Sequence, residues 1–314
     1  MTRNDPLLIG LDVGTTNIKA IVFDVDGGVA ASASVKTPTR HPQPGWAYYQ
    51  PDELWERTLD VLRQAVAQTP APQRIVSLAV ASIGETGFPL NAQGEPLYDG
   101  LAWFDIRTEP QAQQIEERIG VDAVFASTGL PTHSIFGLCK LLWFKQTHPD
   151  LYARTAVWLN TADYIAYRLC GVAATDYSLA SRMLALNLDA LAWDDALLAG
   201  VDLAPNVLAP LTPSGTALET IRPQVAQDIG LPAGVTIAVG GHDHVCGAMA
   251  LGITEPGTML DSIGTAEALL LPMARPVTDP QAGRQGYEMG AHVSGGYYAF
   301  PSFRTAGACI EWFR

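Results

Sequence analysis

Short apolar runs alternate along the chain with segments in which apolar residues recur at helical spacing. Leu7–Leu11, Ile75–Ser82 and Val235–Gly240 have the length and composition of buried strands. Pro51–Gln68 carries apolar residues at intervals of three and four and begins with a proline, which suits the first turn of a helix. This alternation of strands with helices predicts an α/β protein.

The first strand leads directly into a tight polar turn. Leu7–Leu11 is followed by the sequence DVGTTN at Asp12–Asn17 and then by the apolar run Ile18–Phe23. An Asp-Gly-Gly turn at 26–28 precedes Val29–Val35, which reads as a returning strand. The chain is therefore predicted to open with hairpins, the first of which exposes a turn rich in glycine and threonine.

The composition predicts an ordered protein of about two domains and limits the classes of partner that it can bind. The 314 residues include 19 Lys and Arg against 32 Asp and Glu, a net charge of −13. This balance argues against nucleic acid, whose phosphates require a basic surface. Hydrophobic residues make up 48% of the chain, yet no apolar run reaches the ~18 residues of a membrane helix. Neither nucleic acid nor a membrane is expected as a partner.

The four cysteines are widely spaced, at Cys139, Cys170, Cys246 and Cys309. They form no CxxC pair, which excludes a zinc ribbon and a thioredoxin motif. Scattered single thiols suit a reducing compartment, so a cytoplasmic location is predicted.

Common phosphate-binding motifs are absent from the sequence. None of the four lysines follows a glycine, so there is no Walker P loop, and no two glycines are two positions apart, which excludes GxGxxG. Any phosphate must therefore be bound in another way.

The turn after the first strand is one candidate for phosphate binding. Asp12 stands at the strand end, and Gly14, Thr15 and Thr16 offer backbone N–H groups and hydroxyls to an anion. The carboxylate could hold Mg²⁺ directly or through water, and Lys19 adds a positive charge nearby. The alternative is an ordinary hairpin turn with an Asx interaction.

A second candidate lies in the sequence GGHDH at 240–244. The glycines let the chain bend sharply after a strand, and Asp243 can accept a proton from a hydroxyl during phosphoryl transfer. The alternative is that Asp243 only caps a helix starting near His244. His242 and His244 could suggest a metal site, but no third ligand is identifiable. A second hydroxyl-bearing turn, with Gly264 and Thr265, could also contact phosphates.

Taken together and in order, these pieces resemble the FGGY family of carbohydrate kinases. The resemblance implies an actin-like, ribonuclease H-like fold of two α/β domains with the active site between them. Residues 1–250 would form a complete first domain, which binds sugar, and residues 251–314 the beginning of a nucleotide-binding domain. The matching segments are Leu7–Asp24, Leu101–Thr108, Phe136–Lys145, Thr175–Arg182, Gly240–Gly252 and Gly257–Leu269.

The resemblance also implies roles for residues. The family transfers the γ-phosphoryl group of ATP to a hydroxyl of a sugar or polyol with Mg²⁺, and some members are dimers. By position, Asp243 would be the general base and Asp12 the carboxylate near Mg²⁺. The residues expected to contact phosphate are Gly14, Thr15, Thr16, Lys19, Gly264 and Thr265, and those expected to contact sugar are Glu85, Trp103, Asp105 and Asp243.

Two departures from the family pattern affect the expected substrate and the expected activity. Glycerol kinases have an Arg-Glu pair where this chain has Gly84-Glu85 and an aromatic residue where it has Ile135, so glycerol is not expected as the substrate. Xylulokinases have Met-His near Gly84-Glu85, so xylulose is not favoured either. Relatives are also longer, and we expect weak or no kinase activity from these 314 residues alone.

Two other functions remain open from the sequence. One is a non-kinase ATPase of the actin-like superfamily, which would share the phosphate hairpin. The other is a sugar-binding relative without catalysis. The sequence does not specify the sugar, the hydroxyl that reacts or the oligomeric state.

Overall fold

The computed structural model of the protein describes residues 5–263, 267–303 and 312–313. Gly264 and Thr265, predicted to contact phosphate, lie outside these residues. The strands are β1 Leu7–Val13, β2 Asn17–Asp24, β3 Val29–Lys36, β4 Thr39–Arg40, β5 Tyr48–Tyr49, β6 Ile75–Ser82, β7 Gly87–Leu90, β8 Gly100–Leu101, β9 Val157–Asn160, β10 Leu186–Asn187, β11 Ala192–Trp193, β12 Ala217–Thr220, β13 Thr236–His242, β14 Leu260–Ile263, β15 Glu267–Met273, β16 Met289–Ala291, β17 Tyr297–Ala299 and β18 Ser302–Phe303.

Helices of very different lengths connect these strands. They are α1 Pro51–Gln68, α2 Glu109–Ile119, α3 Val121–Thr128, α4 Gly137–Thr147, α5 Pro149–Tyr152, α6 Thr161–Cys170, α7 Tyr177–Ser181, α8 Asp195–Gly200, α9 Pro223–Ile229, α10 Asp243–Ala250 and α11 Pro280–Arg284, with 3₁₀ turns at Pro72–Arg74 and Pro205–Val207. In the part of the chain that the structure describes, none of these helices is both long and apolar enough to cross a membrane.

A mixed six-stranded sheet in the order β12-β13-β6-β1-β2-β3 forms the centre of the fold. β1, β2 and β3 are consecutive antiparallel hairpins, as the opening sequence predicts, whereas β1, β6 and β13 run parallel to one another. The helices α1 and α6 pack against this sheet, and their apolar side chains share one core with it. Parallel strands place their carboxyl ends at one edge of the sheet, and the candidate catalytic residues lie at those ends or directly after them.

A second apolar cluster surrounds α4 and includes residues of α2, α3 and α8. It was not foreseen as a separate core, because its members come from segments up to about a hundred residues apart. The predicted strand Gly100–Trp103 proved shorter and ends at Leu101. The chain turns there, since the Asp105 N–H donates to the carbonyl of Ala102 at 3.0 Å, and this turn exposes Trp103.

The strands after residue 258 form a smaller antiparallel sheet in the order β14-β15-β17-β16, with β18 beside β15. The side chains of Met289, Ala291 and Ala299 share an apolar cluster with Ala180 and Leu188. The Met289 N–H also donates to the carbonyl of Gly129 at 2.9 Å. This sheet therefore packs against the preceding part of the chain, while the division into domains at residue 250 stays a prediction.

Candidate active site

Three acidic residues meet at the carboxyl edge of the central sheet. Ser82, the last residue of β6, is paired with Val13 of β1 on one side and with His242 of β13 on the other. Asp12 precedes Val13, and Asp243 follows His242 directly. Glu85 lies three residues beyond Ser82. The strand register therefore brings together carboxylates that are separated by up to 231 positions in the sequence.

Asp243 is the first residue of α10 and keeps 26% of its side chain exposed. Its Oδ1 accepts a hydrogen bond from the backbone N–H of His244 at 2.7 Å. Burial raises the pKa of Asp243 to about 7, and the negative charges of Asp12 and Glu85 contribute in the same direction. A carboxylate with this pKa and some access to solvent is suited to take a proton near neutral pH. His242, rather than Asp243, occupies the N-cap position.

Asp12 offers an oxygen without a protein partner. Its Oδ1 is buried and accepts no hydrogen bond. Burial raises the pKa of Asp12 against the opposing effect of Lys19, its neighbour on β2. Such an oxygen fits Mg²⁺, which takes one or two carboxylates and fills its other positions with water and phosphate oxygens. Among the described residues no three His, Cys, Asp or Glu side chains cluster as a metal site, so a His242–His244 metal centre is unsupported.

Hydrogen bonds within the turn and from Thr37 fix the turn after Asp12. The Gly14 N–H donates to the carbonyl of Asn17 at 3.1 Å, and the Thr37 hydroxyl donates to the carbonyl of Gly14 at 2.7 Å. Thr16 is exposed and Thr15 partly so. Trp103 donates its indole N–H to the Thr15 hydroxyl at 3.1 Å. One hydrogen bond thus connects the predicted sugar-binding aromatic residue to the predicted phosphate turn.

Glu85 is fixed by a buried arginine. Arg182 donates from Nε to Glu85 Oε1 at 2.6 Å and from Nη1 to Glu288 Oε2 at 3.3 Å. Its guanidinium lies 5.0 Å from the ring of Phe136 and 5.6 Å from that of Phe300. Burial alone would lower the pKa of Arg182, but the two glutamates raise it overall. Arg182, which contacts both Glu85 and Glu288, is therefore permanently charged.

The backbone at Glu85 is strained, with φ at 61° in the left-handed region. Such strain in a residue with a side chain persists only where the surroundings enforce it, and it is frequent at functional sites. A Cβ on the preceding Gly84 would lie 2.9 Å from His242 Cδ2 and 3.2 Å from Arg182 Cγ. The absence of a side chain at 84 thus leaves room for Arg182, which supplies the guanidinium beside Glu85.

The structure separates the predicted roles of Trp103 and Asp105. Trp103 is 37% exposed and is free to offer its ring face. Asp105 is buried, and its carboxylate accepts bonds from Arg107 at 2.8 and 2.9 Å and from the Ala47 N–H at 2.6 Å. These oxygens are already occupied by protein donors. The geometry favours a supporting role for Asp105, while its direct contact with sugar stays a prediction.

Arg182 and Glu288 were missed by the sequence analysis. Arg182 ends the segment TDYSLASR, which resembles the family, and its place in that segment could have indicated it. Glu288 follows Glu85 by 203 positions in a region that carries no recognised motif. Only the packing of the smaller sheet against α7 brings it to Arg182.

Lys140 is a second buried cation behind the site. It is 1% exposed, and its ammonium donates to the carbonyl of Ile135. Burial lowers the pKa of Lys140 to about 8, although Glu85, Cys139 and Asp105 oppose this shift. The free-energy cost of burying the charged ammonium therefore exceeds the stabilisation that the neighbouring acids provide.

We expect Lys140→Met to raise the free energy of unfolding by about 1–2 kcal/mol at pH 7. The folded pKa lies below the unfolded value, so wild-type stability increases as the pH rises through about 8. The increase in the free energy of unfolding caused by Lys140→Met should therefore be smaller at pH 10 than at pH 7. Urea unfolding at both pH values measures it, with Lys36→Met, at an exposed position, as the control. A loss of stability at pH 7 would contradict the expectation.

Comparisons with known proteins agree with this geometry. Residues 7–250 match the N-terminal domain of the FGGY family of carbohydrate kinases. The chain is similar to the xylulose kinase of Bacillus subtilis, with 28% identity over 308 residues that cover 98% of this chain and 61% of that protein. It is also similar to the gluconokinase of Bacillus licheniformis, with 28% identity over 89% of this chain and 53% of that protein.

Solved structures show the same fold. The xylulose kinase from Rhodospirillum rubrum superposes with a TM-score of 0.90 at 26% identity, covering 98% of this chain and 62% of that one. A ligand-bound xylulose kinase from Lactobacillus acidophilus gives 0.90 at 22% identity, with the same coverage. These matches confirm the predicted actin-like α/β fold. The chain spans less than two thirds of each of these relatives. Because the family match covers most of its 314 residues, the chain belongs to the FGGY family of carbohydrate kinases.

Proposed function

We propose that this protein transfers the γ-phosphoryl group of ATP to a hydroxyl of a sugar or polyol. The observation that supports this most strongly is the environment of Asp243. Its pKa of about 7 and its partial exposure give a base beside two further acids and a guanidinium at one sheet edge. The relative named xylulose kinase carries the name of a neutral sugar, whereas the relative named gluconokinase carries that of a sugar acid.

Each side chain has a distinct task in the proposed reaction. Asp243 takes the proton from the attacking hydroxyl, while Glu85, held by Arg182, accepts hydrogen bonds from other hydroxyls. Trp103 offers an aromatic face to the C–H groups of the substrate. The turn at Gly14–Thr16 contacts the phosphates. Mg²⁺, when bound near Asp12, neutralises charge on phosphate oxygens, which together with positioning is most of what phosphoryl transfer requires.

The partners and location complete the proposal. We propose ATP and Mg²⁺ as cosubstrate and ion, a homodimer as the assembly and the cytoplasm as the location. The unpaired thiols of Cys139, Cys170 and Cys246 support a reducing compartment. Weak turnover by the 314 residues alone stays a prediction, so assays should include any longer form of the protein.

Sugar-dependent ADP release tests the proposed function. We expect release to depend on one sugar or polyol in a panel and its kcat/KM to rise about tenfold per pH unit below about pH 7, because the base must be ionised. Above that pH the rate should level off. ATP hydrolysis that no sugar stimulates would favour a non-kinase ATPase. Sugar binding without any ADP release would favour an inactive sugar-binding relative.

A further inference from the structure

We propose that the site accepts a neutral polyhydroxy compound and rejects sugar acids; this rests on the function proposed above. Among the described residues, it is carried by the excess of carboxylates over available cations around Asp243. Glu85 and Glu288 both form their ion pairs with the same group, Arg182. Asp12 and Asp243 add two more acids: the charge of Asp12 raises the pKa of Asp243, and both acids raise the pKa of Cys246.

The positive charge of Arg182 is already shared between two carboxylates, so a substrate cannot interact with it in full. Its Nε donates to Glu85 and its Nη1 to Glu288, and its side chain is 4% exposed. A carboxylate brought here by a substrate would be the third anion around one guanidinium. Burial strengthens the repulsion, because charges interact more strongly away from water.

The other basic groups nearby do not change this balance. Burial lowers the pKa values of His242 and His244, so both imidazoles are neutral near pH 7. Lys140 is attracted by the charge of Glu85, but it is enclosed and directs its ammonium to the Ile135 carbonyl rather than to a substrate. Lys19 is exposed on β2 beside Asp12. Among the residues that the structure describes, Glu85 and Glu288 form ion pairs with no cation other than Arg182.

The same groups suit hydroxyls well. An ionised carboxylate only accepts hydrogen bonds, and a neutral imidazole accepts at one nitrogen and donates at the other. His242 Nδ1 is buried without a partner, which leaves one more polar atom unsatisfied at this edge. A polyol provides both donors and acceptors without adding charge. The hydroxyls of a substrate can therefore form hydrogen bonds with the donors and acceptors of the site. A carboxylate would instead compete with Glu85 and Glu288 for Arg182.

Matched pairs of ligands test this inference. Glycerol and glycerate, xylitol and xylonate, and D-glucitol and D-gluconate differ within each pair by one hydroxymethyl group against a carboxylate. Their dissociation constants are measured by calorimetry on the 314-residue chain at pH 7.5. We expect the polyol to bind at least about tenfold more tightly in every pair that binds, since about 1.4 kcal/mol of repulsion suffices for tenfold. An acid that binds as tightly as its polyol would overturn the inference and leave the kinase proposal intact.

Glu288→Gln tests the electrostatic cause. Removing one anion frees part of the Arg182 charge, so the preference for polyol over acid should fall at least about threefold. Glu117→Gln, at an exposed position on α2, is the matched control and should leave the preference unchanged. An unchanged preference in Glu288→Gln would overturn the charge argument. If no member of any pair and no neutral sugar binds, the proposed function fails together with the inference.

Discussion

Asp243→Asn is expected to reduce sugar-dependent ADP release by about 10²–10⁴-fold, the usual contribution of a general base. The amide cannot take the proton from the attacking hydroxyl. It keeps the shape of the carboxylate, so the dissociation constant for the sugar should change only a few-fold. The two quantities are measured by a coupled ADP assay, in a preparation that phosphorylates a sugar, and by calorimetry.

The same substitution should stabilise the fold in a pH-dependent manner. The pKa of Asp243 is raised to about 7 in the folded protein, so the folded state binds the proton more tightly than the unfolded chain. Stability is therefore lost as the pH rises from about 4 to about 7. Asn removes this loss, and we expect a gain of about 1–4 kcal/mol at pH 8.5 that nearly vanishes at pH 4.

Asp189→Asn, at an exposed position, is the control for both measurements and should change neither. An inactive sugar-binding relative predicts a different outcome, in which Asp243→Asn binds sugar normally and there is no turnover to lose. Turnover within about tenfold of the wild type would remove Asp243 from the role of general base.

The central part of this site is encoded locally and was therefore predictable. Apolar runs identify β1, β6 and β13, and a polar residue directly after a buried strand has few structural reasons to be there. Asp12 and Asp243 stand out for this reason. That they meet across Ser82 follows from the parallel pairing of three strands, which the family resemblance supplied and the periodicity did not.

The rest of the site depends on contacts between distant segments. Nothing near Glu85 in the sequence indicates that Arg182 holds it, or that Glu288 shares that guanidinium. Asp105 was expected to contact sugar from its place in the family resemblance, and the sequence did not indicate that its carboxylate already has protein donors. The partner that occupies it, Arg107, is two residues away, but only the fold around Ala47 shows that its carboxylate is enclosed.

Gly240→Ala is expected to be the most destabilising of these substitutions. A Cβ at this position would lie 2.5 Å from the carbonyl carbon of Val80, and closer still to its oxygen. These are main-chain atoms of the neighbouring strand β6, so no side chain can rotate away to relieve the contact. The pairing of β13 with β6 is already irregular between Ala238 and Gly241, which is where the strands approach. Overpacking here should cost about 3 kcal/mol or more.

Gly247→Ala provides the matched control seven residues away. A Cβ there would meet no heavy atom within 4 Å, and Gly247 lies within α10. Alanine favours a helix over glycine, so this variant should gain about 0.5–1 kcal/mol. Urea unfolding of both variants gives the comparison, and failure of Gly240→Ala alone to yield soluble protein would also agree with the prediction.

The two variants also test whether the position of Asp243 is set by the strand β13 before it or by the helix α10 that it begins. If the close approach of β13 to β6 sets the position of the base, Gly240→Ala protein that still folds should bind sugar weakly, because Asp243 directly follows the displaced strand and lies three residues after position 240. Gly247→Ala should bind as the wild type does, although it stabilises the helix that Asp243 begins. Normal stability and normal sugar binding in Gly240→Ala would show that the strands do not approach so closely, and that the base is positioned by α10 instead.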